Sequence, residues 1–156
     1  MESLNNTIEI QIADITDLDI IIANNIEMAQ ETKNKTLDQS TLSHGVEEVL
    51  HNANLGWYYI AKIDGHTAGQ LMITREWSDW KNGYFWWIQS VFVHKEHRKN
   101  GVYTSLYKHV EARAKIMGVV GLRFYVDSKN KSAQKVYEQL GVKNSHYLFY
   151  EEDWSE

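Results

Sequence analysis

Between Tyr84 and Val93 the chain reads YFWWIQSVFV, an almost unbroken apolar and aromatic run. It is far shorter than the roughly 18 residues a membrane span requires and is rich in β-formers, so it predicts a central strand buried on both faces. A charged turn follows, His94 to Asn100, in which Lys95, Arg98 and Lys99 stand beside one acid, Glu96. Gly101 then opens a pattern with Val102, Leu106, Val110 and Ala114 recurring every four residues, which predicts a helix. Strand, basic turn, glycine and helix together suit an anion. A helix start leaves several N–H groups without partners and carries the positive end of the macrodipole, so a phosphate there gains hydrogen bonds and favourable charge at once.

The flanking sequence predicts the elements around this unit. Ile8, Ile10 and Ile12 alternate with polar residues as a short strand, and Leu18, Ile22, Ile26 and Ala29 form a helical stripe with Thr16 and Asp19 as its capping box. After the polar ETKNKT loop, Leu42, Val46, Val49 and Leu50 predict a second helix capped by Asp38 or Thr41. Two β-rich runs, Trp57 to Ile63 and Thr67 to Arg75, flank Asp64-Gly65, a strong hairpin signal, and a second turn at Asp79 to Gly83 leads into the central strand. The long helix then crosses over to a strand at Leu122 to Val126. A short helix carries Ala133, Val136, Tyr137 and Leu140 on one face and stops at Gly141, and a last strand is expected at His146 to Tyr150. The predicted order is β-α-α-β-β-β-α-β-α-β, a single α/β domain over residues 1–156 with a mixed, mostly antiparallel sheet flanked by helices.

Composition narrows the function. With Lys and Arg totalling 16 against 21 acids the net charge is -5, which argues against a general nucleic-acid or anionic-membrane surface and makes the basic turn a local exception. There is no cysteine, so no disulfide framework, thiolate metal site or cysteine nucleophile is expected. His94 and His97 have H-x-x-H spacing, but the cations around them oppose a metal ion, so no metal is expected. No signal peptide or spanning helix is expected either, which places the protein in the cytoplasm.

Two motifs carry a family resemblance. Arg98-Lys99-Asn100-Gly101-Val102-Tyr103 resembles the Q/R-x-x-G-x-G/A signature of the GNAT superfamily of N-acetyltransferases, with Tyr103 where that family usually has Gly or Ala. Asn130, Ala133, Tyr137 and Gly141 in DSKNKSAQKVYEQLGV are similar to its N-x-x-A-x-x-x-Y-x-x-x-G pattern, and the predicted element order is similar over essentially the whole chain. The resemblance implies the GNAT fold and acetyl-CoA as cosubstrate, with an amine acceptor and no covalent enzyme intermediate.

It also implies roles for named residues. The backbone from Arg98 to Tyr103 would face the pyrophosphate, with charge from Arg98 and Lys99 and a hydroxyl from Thr104. The backbone of Val91 and Val93 would pair with the pantetheine arm, and the Val91 N–H would polarise the thioester carbonyl. Tyr137 would be the general acid, since a phenol with a pKa of about 10 is suited to reprotonating a thiolate. Asn130 would hold CoA through its amide, a role compatible with a helix N-cap. Glu76, Asp79 or Glu27 could take the amine proton directly or through water, and Glu76 is named as the candidate base. Glu27, Asp79, Trp77 and Trp80 would line the acceptor pocket, where aromatic rings and carboxylates suit an amine with an apolar body. Trp77 and Trp80 equally suit a covered sheet edge or a homodimer contact. The residues leave two other functions open: a CoA-binding module without catalysis, and a protein or peptide N-acetyltransferase.

Overall fold

The computed structural model describes residues 7–155. In chain order these form β1 (Ile8–Ile12), α1 (Leu18–Lys33), α2 (Gln39–His51), β2 (Trp57–Ile63), β3 (His66–Ser78), β4 (Gly83–Val93), α3 (Val102–Ile116), β5 (Gly121–Arg123) and α4 (Lys131–Gln139). The sheet order is β1-β2-β3-β4-β5. Every neighbouring pair is antiparallel except β4 and β5, which run parallel because α3 crosses over between them. A larger unit ends at Tyr125 and a smaller one, which contains α4, begins at Val126.

Local chemistry sets most boundaries. Asp38 caps α2 by accepting from the Thr41 N–H at 2.8 Å. The β2–β3 hairpin turns on Asp64 and Gly65, both at positive φ, as a tight Asp-Gly turn requires. The cap of α1 differs from the Thr16–Asp19 expectation. Asp14 accepts from the Thr16 N–H and Asp17 reaches back to the Asp14 N–H, so the capping box belongs to a short 3-10 turn, Ile15–Asp17, that leads into the helix.

Strand alternation sends Tyr58 and Ile60 to one face, where they pack with Ile21 and Ile22 of α1 and Val46 of α2. The opposite face receives α3, whose Val102, Leu106, Val110 and Ala114 are buried, and Tyr59 meets His109 edge-on at 5.1 Å. Gly69 on β3 lets the start of α3 sit close to the sheet: a Cβ there would lie 3.0 Å from Val102 Cγ1 and 2.9 Å from the Phe92 carbonyl oxygen.

The strand expected over His146 to Tyr150 is not formed. Its composition favours β-structure, but a strand exists only where another strand supplies its ladder, and none pairs with this segment among the described residues. Tyr147, Leu148 and Tyr150 are exposed there.

Candidate active site

The central strand carries a defect that shapes the site. β4 residues Phe92 and Gln89 oppose Gln70 and Met72 of β3, so Ser90 and Val91 together face the single residue Leu71. This is a β-bulge, and Ser90 has φ 49, in the left-handed region. The extra residue places Gln89 and Phe92, three apart, on the same face. Two buried amides support the bulge from the α1 side: Gln70 Nε2 donates to the Ser90 carbonyl at 3.2 Å, and Asn24 Nδ2 donates to Gln70 Oε1 at 2.9 Å. Removing either amide would leave its buried partner group on the other unpaired, at a cost of roughly 1–3 kcal/mol.

On its other side β4 is half covered. β5 pairs with Phe85, Trp86 and Trp87 alone, which leaves the edge from Ile88 to Val93 without a strand partner among the described residues. The side chains of Val91 and Val93 are partly buried, and their backbone lies on this open edge. An extended ligand bearing amide groups would add to it as a further strand does.

The open edge runs straight into the basic turn. The His94 N–H still bonds Ala68 of β3 at 2.9 Å, and the His97 and Arg98 N–H groups close a 3-10 turn on His94 and Lys95. Lys99 (φ 64) and Gly101 (φ 80) then adopt left-handed conformations around Asn100, and no side chain caps α3. The first helical bond is Ser105 N–H to Gly101 O at 2.9 Å, so the preceding N–H groups have no intrahelical acceptor. Space around Gly101 is open: a Cβ would meet nothing within 4 Å. This backbone curl at the positive end of a helix fits a phosphate.

The charges of the turn are divided. Arg98 Nη2 donates to Glu31 of α1 at 2.7 Å while its Nε donates to the Val93 carbonyl at 2.8 Å, and Lys95 lies 3.6 Å from the same Glu31. These contacts, Arg98 first, hold the Glu31 carboxyl below the usual range. The Arg98 N–H is also engaged, by Lys95 O at 3.3 Å. Lys99 makes no ion pair among the described residues. Val102 is core, and Tyr103 and Thr104 are partly buried on the first turn of α3.

The α1-facing side of β3, β4 and β5 gathers a second group. Glu76 accepts from the Trp87 indole N–H at 2.7 Å and from Arg123 Nη1 at 2.9 Å, while the Arg123 guanidinium stacks 3.6 Å from the Phe85 ring. The Trp87 hydrogen bond first, and Arg123 with it, lowers the Glu76 pKa, so this carboxylate is ionised but a weakened base. Tyr125 packs on Trp87 at 4.7 Å, and Gln89 donates to Thr74 Oγ1 at 2.8 Å. Trp77 projects to the opposite face, edge-on to Tyr84 at 4.9 Å. Trp80 is 91% exposed at the β3–β4 turn, where its N–H binds Asp79. Glu27 is exposed on α1. The structure therefore brings Glu76 together with Trp87, Tyr125 and Arg123, and not with Trp77.

In the smaller unit, Asn130 caps α4 by accepting from the Ala133 N–H at 3.1 Å, and Tyr137 is partly buried on that helix.

A family model described as the acetyltransferase (GNAT) family matches residues 23–142. The chain belongs to the GNAT family. Its fold superposes on a possible acetyltransferase from Clostridium difficile 630 with a TM-score of 0.89 at 37% identity, covering 96% of this chain and 99% of the other. A ribosomal-protein-alanine N-acetyltransferase from Brucella melitensis biovar Abortus 2308 superposes with a TM-score of 0.78 at 16% identity, covering 96% and 100%. An aminoglycoside N-acetyltransferase, AAC(6')-Iy in complex with CoA, gives 0.77 at 16% identity, covering 99% of each chain. At that identity the last two show the fold alone. No curated protein is similar enough to count as a match. Like its family, the protein is an acetyl-CoA-dependent N-acetyltransferase. This GNAT chain holds no cluster of three His, Asp or Glu residues arranged for a metal ion, and no helix long and apolar enough to cross a membrane, among the described residues.

Several residues that shape this GNAT site left no readable mark in the sequence. Asn24 and Gln70 look like ordinary polar residues, and Arg123 and Tyr125 stand near a strand whose neighbour is set by a crossover. Only a polar residue interrupting an apolar strand, as Gln70 does between Ala68 and Leu71, hints at a buried partner.

Proposed function

We propose that the enzyme acetylates a primary amine on a small molecule by direct attack. Acetyl-CoA would lie along the open edge of β4, with its pantetheine arm against the backbone of Val91 and Val93 and its pyrophosphate at the start of α3. The observation that carries this reading is continuity: the unpaired β4 edge leads without interruption into the uncapped, left-handed turn at Lys99–Gly101. In the reaction the amine nitrogen bonds to the thioester carbon, the C–S bond breaks, the amine loses a proton and the departing thiolate gains one. The Val91 N–H donates to the carbonyl oxygen as negative charge develops there. Asn130 as a CoA ligand and Tyr137 as general acid rest on their motif.

The acceptor would approach from the α1-facing side. Trp87 and Tyr125 offer aromatic faces, and the ionised Glu76 attracts a cationic amine. Because Glu76 is held by Arg123 and Trp87, we assign it to attraction and orientation, with water carrying off the proton. Glu27, Asp79, Trp77 and Trp80 form an outer candidate set for the acceptor. The family match runs across the boundary at Tyr125, which supports one N-acetyltransferase domain over residues 1–156. A cytoplasmic location accords with a soluble cosubstrate, and the exposed Tyr147–Tyr150 segment supports a homodimer.

The test is thermal unfolding with and without excess acetyl-CoA, on the wild type and Gly101→Glu, followed by an amine panel read by thiol release. A ligand that binds only the folded state raises the melting temperature. Stabilisation in the wild type alone, with turnover on a small amine, is the expected result. Stabilisation without turnover on any small amine or peptide would instead mark a binding module, and turnover on peptides alone a protein acetyltransferase.

A further inference from the structure

The bulge leaves the Ser90–Val91 peptide without a place in the β3 ladder, and a side chain fills the gap. Gln70 is fully buried and donates from Nε2 to the Ser90 carbonyl oxygen at 3.2 Å. Its other end is fixed from a different element, since Asn24 of α1, 1% exposed, donates to Gln70 Oε1 at 2.9 Å. The chain of donors therefore runs in one direction, from α1 through β3 to the bulge.

The Ser90 carbonyl and the Val91 N–H belong to one peptide unit. No peptide bond here is cis, and in a planar trans peptide the C=O and N–H point in opposite directions. Turning the Ser90 oxygen toward the Gln70 amide turns the Val91 N–H the opposite way, so Gln70 sets the direction in which that N–H points. A donor on the carbonyl also polarises the amide and strengthens its N–H. At 3.2 Å the bond is at the long end of the normal range, so orientation is the larger of the two effects.

We infer that Gln70 and Asn24 are positioning residues for acetyl transfer, which hold the Ser90–Val91 peptide so that the Val91 N–H meets the thioester carbonyl. The inference rests on the proposed placement of acetyl-CoA along β4. Neither side chain touches the substrate; Asn24 acts through Gln70, and Gln70 through the peptide.

The experiment compares wild type, Gln70→Met, which keeps the volume and removes the donor, and Asn24→Ala, which keeps Gln70 and releases its far end. Two readouts are taken: kcat and KM for acetyl-CoA, and the infrared carbonyl stretch of a bound ketone analogue in which a methylene separates sulfur from the carbonyl. In Gln70→Met, kcat should fall by on the order of 10- to 100-fold while KM stays within about twofold, since the loss is confined to the transition state. The lowering of the carbonyl stretch seen on binding to wild type should shrink in both variants, more in Gln70→Met, with stabilisation by CoA retained. Unchanged kcat and an unchanged stretch in both variants would overturn the inference. So would a parallel loss of kcat and CoA stabilisation, which marks a purely structural role. If CoA fails to stabilise the wild type, the placement along β4 has failed instead, and the inference with it.

Discussion

Arg98 Nη2 lies 2.7 Å from Glu31 Oε2, so the first residue of the Arg98–Tyr103 motif is already paired with α1. Its Nε holds the end of β4 through Val93 O, which makes it a brace for the turn. Lys99 remains as the turn's cation without an ion pair among the described residues. Arg98→Gln is therefore expected to lower the melting temperature slightly, since an exposed ion pair contributes at most ~1 kcal/mol. Lys99→Gln should leave the melting temperature unchanged and raise KM for acetyl-CoA about fivefold, the equivalent of ~1 kcal/mol. Unfolding curves and acetyl-CoA titrations on the two variants separate the roles; a larger KM effect at Arg98 would refute the division.

Gly101 separates backbone strain from ligand charge. At φ 80, with open space around it, an alanine meets no clash and is strained only by its conformation, a cost of ~1 kcal/mol. Gly101→Ala should melt a few degrees lower yet still be stabilised by CoA, whereas Gly101→Glu adds a negative charge at the proposed phosphate site and should lose that stabilisation. Differential scanning fluorimetry with and without CoA reads both.

Stability should fall with acid in two stages of like sign. Burial first, then Arg113, lowers the His109 pKa from its usual 6.5, so the folded state resists protonation and stability is lost as pH drops below 6.5. Glu76 is depressed from 4.5, so its ionised form supports the fold fully above that pH and the contribution disappears as pH falls through the lower folded value. Melting temperatures across pH 7 to 3 should show His109→Gln flattening the first stage and Glu76→Gln the second. A profile identical to wild type in either variant would exclude that group as the cause.

The acceptor reading predicts a contrast between tryptophans. Trp87→Leu removes the ring shared with Tyr125 and the donor to Glu76, and should raise the amine KM about fivefold or more, given ~1 kcal/mol for an exposed cation–π contact. Trp80→Ala, at a position 91% exposed, should change it less than Trp87→Leu does. The reverse ranking in steady-state kinetics would move the acceptor to the β3–β4 turn.

Tyr137→Phe isolates proton delivery. If Tyr137 reprotonates the thiolate, the variant should keep CoA-dependent stabilisation and lose on the order of 100-fold in kcat, the usual scale of general acid catalysis. Unchanged thiol release would remove Tyr137 from the mechanism.

Much of this enzyme was legible in its residues because the signals are local. The apolar run Tyr84 to Val93, the Asp64-Gly65 turn, Asp38 before α2, Gly101 before α3 and Asn130 before α4 each act within a few residues of chain, so period and capping chemistry reveal them. Tertiary structure decided the rest. Whether β5 follows β4 beyond Trp87, whether the His146 to Tyr150 segment finds a ladder, and which face receives Glu76 or Trp77 depend on partners brought together across the sheet. The bulge at Ser90 is the clearest case: alternation along β4 contains no sign of it, because the amides that hold it come from Gln70 on the neighbouring strand and Asn24 on a helix over the sheet. Hydrogen bonds between residues 46 apart in sequence leave no periodicity to read.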